Sequence, residues 1–220
     1  MKVTAMLRTI VLTAAIAGLW PALAQAEVEL SFYGGVQSAP HSDVFISGDP
    51  MGYPAKTRVK WEGKSFDMPP YYGLRATWWS SDSFGYGVDF THTKVYADAA
   101  SRGTDFTTLE FTDGLNTLTA NAYRRFQPVA GITPYVGAGI GLAIPHVEVS
   151  NGVTKTEEYQ ITGPAATLLA GASYPVSDRL SVFGEYKFTY SQNEADLDGG
   201  GTLNTDIITN AVNVGLSFSF

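Results

Sequence analysis

The stretch TPYVGAGIGLAIPHVEV, residues 133–149, decides the fold. Read at period two, one face carries Val136, Ala138, Ile140, Leu142 and Ile144. The other carries Tyr135, Gly137, Gly139, Gly141 and Ala143. Bulky apolar and small residues alternate over about ten positions, the length of a tilted strand crossing a bilayer. A strand of a soluble sandwich points its bulky residues inward. Here the second face is almost bare, as expected if it faces a lumen too narrow for large side chains. His146, one of three histidines in the chain, closes the stretch.

The same alternation recurs on both sides. Val28, Leu30, Phe32, Gly34 and Val36 mark a first strand. Tyr72, Leu74, Ala76 and Trp78 mark a second. Phe84, Tyr86, Val88 and Phe90 mark a third, running on through His92, Lys94 and Tyr96. A fourth, less regular strand spans roughly 108–126, and the opening stretch is the fifth. Pro164 to Tyr174, Leu180 to Tyr190 and Ile208 to Phe220 supply the last three. The connections alternate between long and short. Residues 38–56 (SAPHSDVFISGDPMGYPAK), 97–104, 150–158 (SNGVTKTEE) and 191–205 (SQNEADLDGGGTLNT) read as long loops, rich in turn formers. Residues 58–66 extend the first as an exposed flap. This pattern predicts an all-β fold, an eight-stranded antiparallel up-and-down transmembrane β-barrel with short periplasmic turns and long extracellular loops. Eight strands make a small barrel that side chains fill, and closure leaves no peptide edge to meet hydrocarbon. Aromatic residues gather at the strand ends, Trp78, Trp79, Tyr135 and Phe218 on the turn side, and the chain ends on Phe220.

Residues 1–26 read as a cleaved signal peptide: Lys2 and Arg8, an apolar run from Thr9 to Leu23, then Ala24-Gln25-Ala26. Residues 27–220 then form one barrel domain. Losing Lys2 and Arg8, with no acid in that segment, takes the formal net charge from −7 to −9. That balance argues against nucleic acid as a partner and suits a surface rich in divalent cations. The chain has no cysteine, which excludes a disulfide scaffold and thiol chemistry in an oxidising compartment.

Arg75, Asp89, Glu185 and Lys187 fall on inward faces, so a paired charge network is expected to plug the lumen and close any pore. His41, His92 and His146 all arrive at the outer rim, near Asp43, Asp98, Glu110 and Glu148 in sequence. Imidazole with a carboxylate is the donor set of oxygen-activating metal centres. The spacing forms no local motif, and ordinary surface polarity is an alternative reading. Strict alternation puts His92 and His146 on the lipid-facing parity, to be joined by His41 only if the strand ends bend, as Pro145 permits.

Four segments, APHSDV (39–44), GKSFDMPPYYGLRATWW (63–79), GVDFTHTKVYAD (87–98) and GIGLAIPHVEV (139–149), resemble the outer-membrane lipid A oxidase family of rhizobial and related bacteria. The resemblance covers most of the chain after the signal and contains all three histidines. It implies a monomeric bacterial outer-membrane barrel whose partner is lipid A, or lipopolysaccharide, in the outer leaflet. It implies oxidation of the proximal glucosamine, after loss of its 1-phosphate, to 2-aminogluconate, with molecular oxygen as oxidant and peroxide as product. No dinucleotide or flavin fingerprint is present. On that reading a divalent transition metal, iron or similar, is expected on His41, His92 and His146, with Asp43 or Glu148 as further ligand or base. Lys56, Arg58, Lys60 and Lys64 are then expected to hold a remaining phosphate. A non-catalytic structural or surface-interaction barrel is the alternative.

Overall fold

A computed structural model of the chain describes residues 27–220, so the signal peptide expected over 1–26 lies outside the described residues. The strands are β1 (Glu27–Ser38), β2 (Ser42–Ser47), β3 (Lys56–Val59), β4 (Trp61–Glu62), β5 (Tyr72–Trp79), β6 (Phe84–His92), β7 (Val95–Ala97), β8 (Thr108–Phe111), β9 (Leu115–Arg125), β10 (Thr133–Ser150), β11 (Lys155–Tyr159), β12 (Gly163–Pro175), β13 (Leu180–Asp196) and β14 (Thr202–Ser219). One helical turn, α1 (Ala99–Arg102), is capped by the Asp98 carboxylate. β1, β5, β6, β9, β10, β12, β13 and β14 pair antiparallel in that order, and β14 closes on β1. The barrel is therefore eight-stranded and up-and-down.

Inside the ring the expected charge network is present. The Arg75 guanidinium donates to Asp89 at 2.7 Å and to both oxygens of Glu185 at 2.7 and 3.0 Å. Lys187 Nζ donates to Asp89 at 2.7 Å and to the Tyr33 hydroxyl at 2.9 Å. Two cations face two carboxylates, so the buried charges cancel. Trp79 and Tyr135 also turn inward rather than joining an aromatic girdle; Trp79 packs on Tyr123 beside the network.

Above the charges the segments expected as loops are strands. β2 and β3 extend β14, while β4, β7, β8 and β11 build onto the upper half of β10. β13 and β14 pair from Asp196↔Thr202 downward, so the acidic loop expected over 191–205 shrinks to a tight turn. The fourth strand is divided in two by Thr112–Gly114. The reason is a reversal of polarity. Val44, Ile46, Trp61, Phe111, Val147 and Leu203 point inward and pack as an apolar cap, while their neighbours in sequence face outward. In the membrane zone the apolar side chains face out; above it they face in. β10 carries both halves on one continuous strand and passes through Pro145 without a break.

Candidate functional site

Where β10 changes from one regime to the other, its outward face runs Leu142, Ile144, His146, Glu148. His146 is 9% exposed. Its Nδ1 lies 3.4 Å from a Glu148 carboxylate oxygen and 4.0 Å from one of Asp113. The three residues each offer a ligand atom within 4.8 Å of the others, the only such group of three among the described residues. Thr112 Oγ1 donates to Glu148 at 2.8 Å and fixes that carboxylate. The Tyr159 ring stands edge-on to His146 at 4.8 Å, and its hydroxyl donates to the Asp113 carbonyl at 2.8 Å.

Asp113 reaches His146 because Thr112–Gly114 turns between β8 and β9, with the Gly114 carbonyl accepting the His146 amide at 2.9 Å. Gly114 has φ +112°, and a Cβ there would lie 2.5 Å from His92 Nδ1 and 2.3 Å from Asn116 Oδ1. Only glycine lets the turn pass this close. His92 therefore sits directly beneath the turn. Its Nδ1 is 2.9 Å from Asn116 Oδ1, and its ring stacks on Tyr72 at 5.1 Å. His92 Nε2 and His146 Nδ1 are buried nitrogens without a hydrogen-bond partner among the described residues.

The electrostatics are acidic. Glu110 and Glu157 face Glu148 from the strands on either side. Burial, then the Glu148 charge across the ladder, pushes the Glu110 carboxyl above its ordinary value. Lys155 is hydrogen-bonded to Glu157 and holds that carboxyl below its usual range. One imidazole and two carboxylates form a mixed set that suits a divalent ion of the manganese or iron type.

The structure brings His146 and Glu148 together; His92 packs beneath the Gly114 turn against Asn116 and gives no ligand atom to that group. It does not bring His41 or Asp43 to the cluster. His41 is exposed between β1 and β2, both of which pair with β14. Asp43 is held by Lys56 at 3.0 Å and Arg58 at 3.1 Å, which keep its carboxyl below the usual range. Those two cations are thereby engaged, and Lys64 stands over the Tyr96 ring at 4.1 Å. Sequence reasoning missed Asp113, Thr112 and Tyr159. The Asp113-Gly114 pair is a turn signal and was the available clue.

A closed antiparallel ring, an apolar outer belt and short turns at one end define a transmembrane β-barrel of the outer-membrane type. Over residues 10–220 the sequence matches the outer membrane protein beta-barrel domain, and the chain belongs to that family, whose setting is the bacterial outer membrane. Among solved structures, Neisserial surface protein A is similar at 16% identity, with a TM-score of 0.50 over 89% of this chain and 97% of that one. The outer membrane protein AlkL, solved in lipid bilayers, is similar at 11% identity, with a TM-score of 0.53 over 89% and 90%. No curated protein matches the sequence.

Proposed function

We propose that the chain is an outer-leaflet enzyme that oxidises the proximal glucosamine of lipid A to 2-aminogluconate with molecular oxygen. The observation that carries this reading is the wall on which the polar cluster stands. His92, His146, Glu148 and Asp113 lie on the outside of the barrel, at the height where the apolar belt ends. A water-soluble substrate arriving from outside would be served by a lumen open at the rim; here the apolar cap closes the rim above the charge network, and a polar cavity of about 410 Å³ lies beneath, on the turn side. A sugar anchored in the leaflet arrives at the outer wall.

The reaction balances without a nucleotide cofactor. The anomeric carbon loses its hydrogen and the anomeric hydroxyl its proton. Two electrons and two protons pass to oxygen as peroxide, and water opens the lactone to the acid. Glu148, oriented by Thr112, is placed to take the hydroxyl proton. Tyr159 flanks the position a sugar ring would occupy. A transition metal held by Asp113 and His146, with Glu148 as the base beside it, would supply the activation of oxygen.

The test is the mass of lipid A from cells expressing the wild type or His146→Ala. The wild type should add one oxygen to lipid A lacking its 1-phosphate; the variant should not, while still showing the heat-dependent gel mobility of a folded barrel. Unchanged lipid A with the wild type, under oxygen and with manganese or iron supplied, would favour a non-catalytic surface barrel.

A further inference from the structure

Below the cluster, the lipid-facing wall is hollowed. One lateral row across six strands reads Trp78, Tyr86, Ala122, Ala138, Leu168, Phe188, each residue in register with the next. Aromatic and leucine side chains thus rise on both sides of a floor of two alanines. The hollow between them, open along its length to the membrane, has a volume of about 1000 Å³ and is almost wholly apolar. A second hollow of about 500 Å³ continues it upward, over Ala166 and Pro164 and under Tyr190, sharing Ile140 and Ala166 with the first. Above it the same face of β10 runs from Leu142 through Ile144 to His146, which pairs with Tyr159. The opposite wall differs: Phe32, Val212, Val214 and Leu216 are all bulky and project into the belt.

We infer that this groove binds one acyl chain of the glycolipid whose sugar lies at the His146 cluster. The inference deepens the proposed function and rests on it for the identity of the head group. The groove is continuous with the face that the membrane covers, and it shares β6, β9 and β10 with the site. Ala138 and His146 lie on one face of β10, about 27 Å apart at 3.4 Å per residue. With a strand tilt near 40° this is about 20 Å of depth, where half the apolar band of such a barrel is about 12 Å. The alanine floor therefore lies past the midplane, and a long acyl chain hanging from a sugar at His146 is needed to reach it. The buried, unpartnered Nδ1 of His146 marks the polar end of the same site.

The test is retention of lipid by the detergent-extracted barrel, read by native mass spectrometry with lipid A lacking its 1-phosphate as probe and a dioleoyl phosphatidylethanolamine arm alongside. The wild type should keep one lipid A per chain. Ala138→Phe and, independently, Ala166→Phe should weaken retention about tenfold, a loss of about 1.4 kcal/mol; Val214→Phe on the bulky wall should not. Heat-dependent gel mobility identifies folded variants, and either groove variant suffices. Equal retention by the groove variants and Val214→Phe, or retention of the phospholipid as tight as that of lipid A, would overturn the inference. Retention needs no turnover. A wild type that holds lipid A through this groove yet never oxidises it removes the enzyme and leaves the groove.

Discussion

Replacing Arg75 by leucine removes the centre of the lumenal network. The guanidinium makes three charge-assisted hydrogen bonds, one to Asp89 and two to Glu185, and lies 5.3 Å from the Tyr33 and Tyr123 rings. Without it, Lys187 alone faces two carboxylates, leaving one uncompensated negative charge where Asp89 and Glu185 are almost fully buried. Breaking a buried pair from one side costs about 3–5 kcal/mol, about two to four orders of magnitude in the folding equilibrium. Removing Glu185 as well, in Arg75→Leu with Glu185→Leu, leaves Lys187 and Asp89 neutral as a pair and should restore more than half of the loss. Recovery stops short of complete because Tyr135 and Asn213 also donate to Glu185 and lose their acceptor. The assay is reversible unfolding in urea with phospholipid vesicles, followed by tryptophan fluorescence. A cost for Arg75→Leu below about 1 kcal/mol, the scale of an exposed pair, with no recovery in the double variant, would mean that water screens the network and would refute a dry, self-cancelling plug.

Two further outcomes concern the extracellular half. Glu110 has its carboxyl raised above the ordinary value of 4.5 by burial and by Glu148; the folded chain thus holds this proton more tightly than the unfolded chain, and stability falls as pH rises through that window. Glu110→Gln should stabilise the cap at neutral pH by about 0.2–1 kcal/mol, the scale of a cross-strand pair, with the gain vanishing in acid and shrinking when manganese is added; a pH series of thermal melts checks it. Trp61 packs on Phe111 at 6.1 Å and donates to Ser42 at 2.8 Å, so Trp61→Ala should cost the cap about 3–5 kcal/mol. The readout is faster proteolysis within residues 39–65 while the membrane-embedded barrel keeps its heat-dependent gel mobility.

The barrel was legible because a single rule governs the membrane zone. Val136, Ala138, Ile140 and Leu142 meet lipid, Gly137 and Gly139 meet a crowded lumen, and the alternation is plain in the letters. The extracellular strands obey the opposite rule, and nothing in a local window announces the change. Val44, Phe45 and Ile46 form an unbroken apolar triplet among glycines and prolines, with Phe45 outward, and Leu197 and Leu203 stand apart in an acidic, glycine-rich segment. Each looks like a loop until β14, β2 and β3 are paired. The site divides in the same way. His146 and Glu148 are two apart on one strand, so their shared face follows from sequence. Asp113 joins them only across the strand pair through the turn at Gly114, a contact that no spacing encodes. His41 reaches the rim, but on the β1 and β14 side, across the ring from β10.

The reversal of polarity also explains why functional groups collect on the outside of this protein. Below the crossing level an outward polar side chain would face hydrocarbon, and above it would face open water. At the crossing alone, on the wall rather than in the lumen, an imidazole can be nine-tenths buried by protein and still stand at the level of a head group. His146 occupies that level on β10, and Tyr72, His92 and Asn116 occupy it on β5, β6 and β9. From the outer rim the lumen is closed by Trp61, Phe111 and Val147 over the paired charges, and its polar cavity lies below them, on the turn side. The polar cluster therefore opens on the outer wall and not into the lumen, which is the placement the proposed lipid-anchored substrate requires.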